Sequence, residues 1–153
     1  MSEEFYRMDT LATDRSIGYL LRIADILMVE RIGECFSGDE ITFSQWVALS
    51  CLEQELVHTA ADIARLLRQD TGSVTRMVDQ LETHGLLKRV RATIDRRIVN
   101  LHLTARGRNA VRRNTASVTG FLNHALAEFS ATEVQTLIGL LSRLIDRLER
   151  TGD

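Results

Sequence analysis

The sequence predicts a mainly α-helical chain that carries one small β wing of two or three strands. Through most of the 153 residues, apolar side chains recur at the 3.6-residue spacing of a helix. Only two short segments, between residues 86 and 103, alternate apolar with polar residues as strands do. These segments follow two short helical patterns joined by a tight connection. The order of elements is therefore that of a winged helix-turn-helix.

The second of the two short helices has an apolar face and a polar face. Its apolar positions follow the i, i+3, i+4, i+7 pattern: Val74, Met77, Val78 and Leu81. Its other face carries small hydrogen-bonding residues and one guanidinium: Thr71, Gly72, Ser73, Thr75, Arg76, Asp79 and Gln80. Asp70 is a good N-cap, and Gly85 a good left-handed stop. Such a helix suits the major groove of DNA, because small residues let the backbone approach and arginine matches the acceptors of guanine.

The helix before it is predicted over residues 60–67, and only Arg68 and Gln69 separate it from Asp70. A connection this short makes two helices cross steeply. Arg68 stands where many motifs of this kind carry glycine. It is nevertheless included among the expected DNA contacts.

The alternating segments predict a hairpin with a charged tip, at residues 93–97. Asp95 is expected to pair with Arg97 and stiffen the tip, while Arg96 projects outward. A projecting arginine beside a groove-reading helix suits a narrow minor groove. The expected DNA contacts on the helices and the wing are Arg68, Thr71, Ser73, Thr75, Arg76, Gln80, Lys88, Arg96 and Arg97.

Charge is strongly segregated along the chain, although the total is only −2. Residues 1–58 carry a net charge of −7, residues 59–113 carry +7, and the last forty residues carry −2. The basic segment coincides with the predicted helix-turn-helix and wing. This coincidence indicates a double-stranded DNA partner rather than an ordinary solvated basic surface.

The flanking segments predict long amphipathic helices. One begins near Asp14 and ends by Gly38, and a second starts in the capping box that Thr42 opens. After the wing, Thr104 caps a third long helix, and a capping box at Ser130 opens the last one. That last helix has the a/d spacing of a packing seam: Leu137, Leu141, Leu144 and Leu148. We therefore expect a homodimer, with dimerisation helices at about 10–36 and 105–150 around a DNA-binding part at about 42–104.

Other kinds of chemistry find little support in the sequence. The four histidines fall on different elements without metal-ligand spacing, and no phosphate loop or nucleophile elbow occurs, so we expect no enzyme, no metal and no cofactor. Cys35 and Cys51 have the spacing of neither a disulfide framework nor a zinc site. No apolar run of transmembrane length and no signal peptide is recognisable, and a cytoplasmic protein is expected, with no membrane partner.

Several segments of the chain together resemble a known family. These are Val74–Glu82, Gly85–Arg89, the Asp-x-Arg at 95–97, and the Leu-Thr-x-x-Gly at 103–107. The chain resembles the MarR family of multiple-antibiotic-resistance-type regulators over nearly its whole length, as one domain from 1 to 153. The resemblance implies a dimeric winged-helix transcription factor, usually a repressor released by a small ligand or an oxidant.

The resemblance also implies a small-molecule pocket between the dimerisation helices and the reading module. Tyr19, Phe43, Trp46 and Phe121 are candidate lining residues for an aromatic or phenolic effector, although aromatic residues at helical spacing are more often plain core. Some relatives sense peroxides through a cysteine near the start of the first helix. Cys35 lies at the far end of that helix and Cys51 inside the next, so neither matches that position.

Three functions stay open on the sequence. The leading one is a DNA-binding repressor that a small ligand releases from a palindromic operator. The second is a redox-responsive or ligand-independent DNA-binding regulator. The third, from a different class, is a winged helix used only for protein interaction, which the segregated charge and Arg96 disfavour.

Overall fold

The computed structural model describes residues 5–9, 11–92 and 97–151. The chain forms two compact units, Met1–Thr115 and Ala116–Asp153. In the first unit, a 3₁₀ turn at Thr13–Arg15 precedes four helices and two strands: α1 (Ile17–Glu34), α2 (Phe43–Glu53), α3 (Ala60–Leu67), α4 (Thr71–Thr83), β1 (Leu87–Arg91) and β2 (Val99–Leu103). Helix α5 (Ala105–Ala125) begins in the first unit and ends in the second, which also contains α6 (Ala131–Arg150).

Side-chain caps fix where the helices begin. Three residues each open a complete capping box: Thr42, Thr59 and Ser130. In each box the cap hydroxyl accepts the backbone N–H of the third helical residue, and the side chain of that residue accepts the backbone N–H of the cap. The boxes at Thr42 and Ser130 confirm the sequence predictions. Thr104 caps α5 as predicted, because its Oγ1 accepts the Gly107 N–H at 3.0 Å.

Helix α1 begins later than the sequence predicted. Asp14 lies in the 3₁₀ turn, and the helix starts at Ile17, with Ser16 as N-cap. The Tyr6 hydroxyl accepts the Ile17 N–H at 2.8 Å. This start is three residues beyond the expected one because the hydroxyls of Tyr6 and Ser16 satisfy the first N–H groups there.

The wing is a two-stranded antiparallel hairpin. Leu87 lies opposite Leu103, Arg89 opposite Leu101, and this register continues to the last pair of the strands. On the outer edge of β2, the Leu101 N–H donates to the carbonyl of His58 at 2.8 Å. The wing is thereby anchored to the loop between α2 and α3.

The core of the first unit lies under the helix-turn-helix. Its large apolar side chains with almost no exposure come from four elements and the turn before the wing: Leu49, Ile63, Val74, Val78, Leu81, Leu86 and Leu87. Val74, Val78 and Leu81 are the predicted apolar face of α4, and Met77 is half-buried beside them. The core therefore fixes which face of α4 is turned outward.

Helices α1 and α6 leave most of their apolar side chains exposed. Ile32 is the one buried residue of α1, and α6 has none. On the predicted α6 seam, Leu137 is 45% and Leu148 60% exposed, while Leu141 and Leu144 are half-buried. Among the described helices, none combines the length and apolar character needed to cross a membrane.

Candidate nucleic-acid interface

The outer face of α4 carries the predicted reading residues. Thr71, Thr75, Arg76 and Gln80 are exposed and Ser73 is half-buried. On the opposite face, Val74, Val78 and Leu81 are fully buried. The helix is thus held by its apolar side and presents hydroxyl, amide and guanidinium groups on the other. This is the arrangement that direct readout of base edges requires.

Hydrogen bonds order the first turn of α4. The Asp70 carboxylate accepts the Ser73 N–H at 2.9 Å and the Ser73 hydroxyl at 2.6 Å. The same hydroxyl oxygen accepts from the Arg76 guanidinium at 3.2 Å. The Ser73 hydroxyl and backbone bonds lower the pKa of Asp70, and the nearby positive charge of Arg76 adds to this. Asp70 therefore caps the helix as predicted, and Ser73 links this cap to Arg76 and orients its guanidinium, a role that the sequence did not reveal.

The turn between α3 and α4 has a left-handed residue that is not glycine. Arg68 adopts φ 49° and ψ 43°. The next N–H, from Gln69, donates back to the Ala64 carbonyl at 3.0 Å and closes the turn. This geometry explains why many helix-turn-helix motifs carry glycine at this position. A residue with a Cβ adopts the left-handed backbone at a cost of about 1 kcal/mol or more in conformational free energy.

Arg89 joins the wing to α4. Its guanidinium donates to Asp79 and to Glu82, each at 2.6 Å, and its backbone N–H donates to Glu82 at 3.0 Å. The bonds from Arg89, the backbone one first, lower the pKa of Glu82. Sequence reasoning placed Asp79 on the outer face of α4 without a role. The structure assigns it to this clamp, which no spacing along the chain could reveal.

The structure describes two of the predicted DNA contacts of the wing, Lys88 and Arg97. Lys88 is exposed and lies across the hairpin from His102, and Arg97 is exposed at the end of the tip. Arg96 and Asp95 lie outside the described residues, so the expected pairing of Asp95 with Arg97 stays a prediction.

The candidate pocket residues are partly assembled. The rings of Phe43 and Trp46 stack at 5.8 Å between centroids, and both contact Phe36. The Trp46 indole N–H lies 3.4 Å from the Val111 carbonyl. Tyr19 is 42% exposed on α1. Phe121, the fourth candidate, is half-buried in the second unit.

Two clefts lined by described residues of the first unit lie away from this aromatic cluster. One of about 290 Å³ runs between the end of α2 and β2 and is lined by polar groups that include His58, His102 and Arg108. In the parts of the chain that the structure describes, no cluster of His, Cys, Asp or Glu has an arrangement that could hold a metal ion. Burial raises the pKa of the Cys51 thiol, which disfavours the reactive thiolate.

A model described as MarR family matches residues 41–99, which extend from just before α2 to the start of β2. The chain is also similar to an uncharacterized HTH-type transcriptional regulator, YdgJ of Bacillus subtilis (strain 168). The two are 33% identical over 84 residues, covering 55% of this chain and 51% of YdgJ. The chain thus matches about half the length of this relative.

Solved structures extend the similarity over most of the chain. A probable transcriptional regulator from Pseudomonas aeruginosa is 31% identical, with a TM-score of 0.70, covering 87% of this chain and 99% of that one. A mutant MarR from E. coli complexed with operator DNA is 25% identical, with a TM-score of 0.73, covering 84% of this chain and 92% of that one. These similarities confirm the predicted fold class.

Proposed function

This chain belongs to the MarR family of DNA-binding transcriptional regulators, and from that premise we propose that it is a homodimeric repressor acting at a palindromic operator. The relatives are regulators and not enzymes. Within this class, the repressor role, the dimer, the operator symmetry and the effector are our proposals. A cytoplasmic location follows from the proposal, because a repressor acts where the chromosome is.

The outer face of α4 carries the proposal. Its polar groups are exposed while the buried face fixes the helix, and Arg76 is oriented by the capped first turn. We assign base reading to Arg76, Thr75 and Gln80, and backbone contacts to Thr71 and Ser73. We assign contacts with the DNA backbone and the minor groove to the cations at Arg68, Lys88, Arg96 and Arg97.

The exposed apolar side chains of α1 and α6 support a homodimer. On α1, nine of them are more than a third exposed: Ile17, Tyr19, Leu20, Leu21, Ile23, Ile26, Leu27, Met28 and Val29. Apolar surface of this extent on one chain marks an interaction site. We place the seam of Leu137, Leu141, Leu144 and Leu148 in this dimer interface.

The aromatic cluster around Phe43 and Trp46 supports a small aromatic or phenolic effector, with Tyr19 and Phe121 as the other candidate lining residues. Stacked rings bind flat ligands well. The redox-responsive alternative is weaker, since burial raises the pKa of Cys51. The Cys35 thiol is half-buried and donates weakly, at 3.8 Å, to the Arg31 carbonyl.

A gel-shift experiment tests the proposal. Promoter DNA from the protein's own gene and random DNA of equal length are titrated with the intact protein and with Arg76→Ala. If Arg76 reads a base, the substitution costs about 1–3 kcal/mol on the operator and little on random DNA. Equal weakening on both would reduce Arg76 to a phosphate contact, and no binding by the intact protein would refute the function. Aromatic carboxylates and peroxide, added separately, distinguish ligand release from oxidation.

A further inference from the structure

Gln45 links the start of α2 to the outer face of α4. It is the third residue of α2 and 8% exposed. Its Oε1 accepts the Thr42 backbone N–H at 2.9 Å, as the capping box requires. Its Nε2 donates to the Oε1 of Gln80 at 3.3 Å.

The Thr42 N–H fixes the orientation of both amides. A flipped Gln45 would point its own N–H donors at that N–H, so the Oε1 of Gln45 must face Thr42 and its Nε2 must face Gln80. Gln80 then offers its carbonyl oxygen to Gln45. The Nε2 of Gln80 has no hydrogen-bond partner among the described residues and lies on the exposed face of α4.

We propose that Gln45 is a positioning residue that turns the carbonyl oxygen of Gln80 toward α2 and its N–H donors outward, and so sets the base that Gln80 reads. This inference rests on the proposed function. A glutamine free to rotate pairs with adenine, accepting from N6 and donating to N7. Held by Gln45, Gln80 presents its N–H donors and favours guanine (O6 and N7) or thymine (O4), whose polar major-groove atoms are all acceptors. Adenine and cytosine are disfavoured, because each offers a donor there, at N6 and N4.

Gln45→Glu inverts this arrangement while it preserves the fold. A carboxylate at this position still accepts the Thr42 N–H, because glutamate also completes a capping box, and a negative charge is favoured in the first turn. It cannot donate to Gln80, and instead accepts from the Gln80 amide. Gln80 then turns its carbonyl oxygen outward, toward the N4 donor of cytosine or the N6 donor of adenine.

Gln45→Met is the uncharged second variant. It has a similar length and no hydrogen bond to Gln80, so the amide of Gln80 can rotate. The expected result is a broader preference at the same position, with adenine now accepted. Gln80→Ala identifies that position, since preference there should disappear while the others persist.

The experiment is selection of binding sites from randomised duplex DNA by the full-length protein and the three variants, with thermal unfolding as a measure of folding. The intact protein should favour guanine or thymine over cytosine by about tenfold at one position per half-site. Gln45→Glu should reverse that preference there and leave the other positions unchanged. If the added negative charge of Gln45→Glu lowers affinity for all DNA, the same loss of affinity should appear on random DNA.

The same base preference in the intact protein and in both Gln45 variants would overturn the inference. A Gln80→Ala variant that loses affinity equally for all sequences, with no change of base preference, would also overturn it, because Gln80 would then contact phosphate. Both results leave the proposed function standing. If the intact protein selects no sequence at all, the proposed function fails together with the inference.

Discussion

At the scale of single residues, Arg68 keeps an unfavourable backbone conformation next to the proposed reading surface. Its left-handed backbone at φ 49° favours glycine, yet the chain has arginine there. The position follows α3 directly and precedes the cap of α4, beside the proposed reading surface. Strain retained at such a place is consistent with a side chain that serves binding.

Arg68→Gly should therefore stabilise the protein and weaken its binding. Relief of the strained backbone outweighs the greater entropy of the unfolded chain, so the free energy of unfolding should rise by about 0.5–1 kcal/mol. DNA affinity should fall equally for all sequences. The slope of log affinity against log salt concentration should decrease in magnitude by about one. Urea denaturation and binding in a salt series measure both effects. Arg68→Asn is the control, because asparagine tolerates this backbone but carries no charge. Unchanged affinity at every salt concentration would remove Arg68 from the interface.

Asp39 illustrates how one carboxylate fastens a loop to a helix. It lies between α1 and α2, and it accepts from the Arg113 guanidinium at 3.1 and 3.2 Å and from the buried Asn114 amide at 3.2 Å. Its side chain is 15% exposed, and that of Arg113 is 54% exposed. The bonds from Arg113, more than those from the Glu40 N–H and Asn114, hold the pKa of Asp39 below its usual value.

This lowered pKa gives a pH-dependent prediction for Asp39→Asn. Above about pH 4 the unfolded carboxyl is ionised as well, so its stabilisation is fully present there and declines as the pH falls through the lower folded pKa. The variant should be about 1 kcal/mol less stable near pH 7, a modest figure because solvent reaches Arg113. The difference should shrink below about pH 4 in urea denaturation. Asp9→Asn, at an exposed pair with Arg7, should change little. A difference that grows on acidification would contradict the argument.

At the scale of elements, α5 is seated against the turn that joins α4 to the wing. The Thr104 hydroxyl donates to the Gly85 carbonyl at 2.6 Å, and the Thr104 N–H donates to the Leu86 carbonyl at 3.1 Å. One turn into α5, Gly107 lies so close that an added Cβ would stand 2.0 Å from the Leu86 oxygen. The glycine is required by this approach of two backbones, not by its own conformation.

Gly107→Ala should push α5 away from the wing. The clash is with backbone, which cannot rotate aside, so we expect a loss of about 2–3 kcal/mol in the free energy of unfolding. Gly120→Ala in the same helix is the matched control, because a Cβ there meets nothing within 4 Å. It should stabilise by up to about 1 kcal/mol through helix propensity. Equal effects of the two substitutions in urea denaturation would contradict the proposed close packing.

At the scale of the whole molecule, specific binding should depend on the dimer. One recognition helix and one wing contact only a few base pairs, which discriminate poorly against a genome of competing sites. If the terminal helices join two copies about a two-fold axis, the recognition helices should enter successive major grooves. The operator should therefore be an inverted repeat with half-site centres about 10 bp apart.

Substitution of Leu137 and Leu148 by glutamate should separate the dimer without unfolding the chain. Both side chains are exposed in a single chain, so their substitution should disturb the proposed association and not a core. The variant should sediment as a monomer at micromolar concentration and lose operator binding, whereas Gln135→Glu, which adds charge elsewhere on α6, should do neither. An intact protein that is monomeric at that concentration and still binds a palindrome tightly would overturn this architecture.

Local sequence determined the elements and their order. Residues 60–67 form α3 as predicted, Asp70 and Thr42 cap the helices expected of them, and Gly85 is left-handed at φ 68°. These features depend on neighbours within about four residues along the chain. Cap residues and helical spacing can therefore be recognised in the sequence alone. The inward face of α4 was predicted for the same reason.

Only the tertiary structure decided how the reading surface is supported. Arg89 reaches Asp79 and Glu82, Gln45 reaches Gln80 across 35 positions, and Thr104 reaches Gly85. Each of these hydrogen bonds joins residues of different segments. The residues around a polar side chain in the sequence do not indicate which distant group it will bind. The sequence by itself therefore determined that α4 would present a polar outer face, and packing decided which groups of that face are held by other elements.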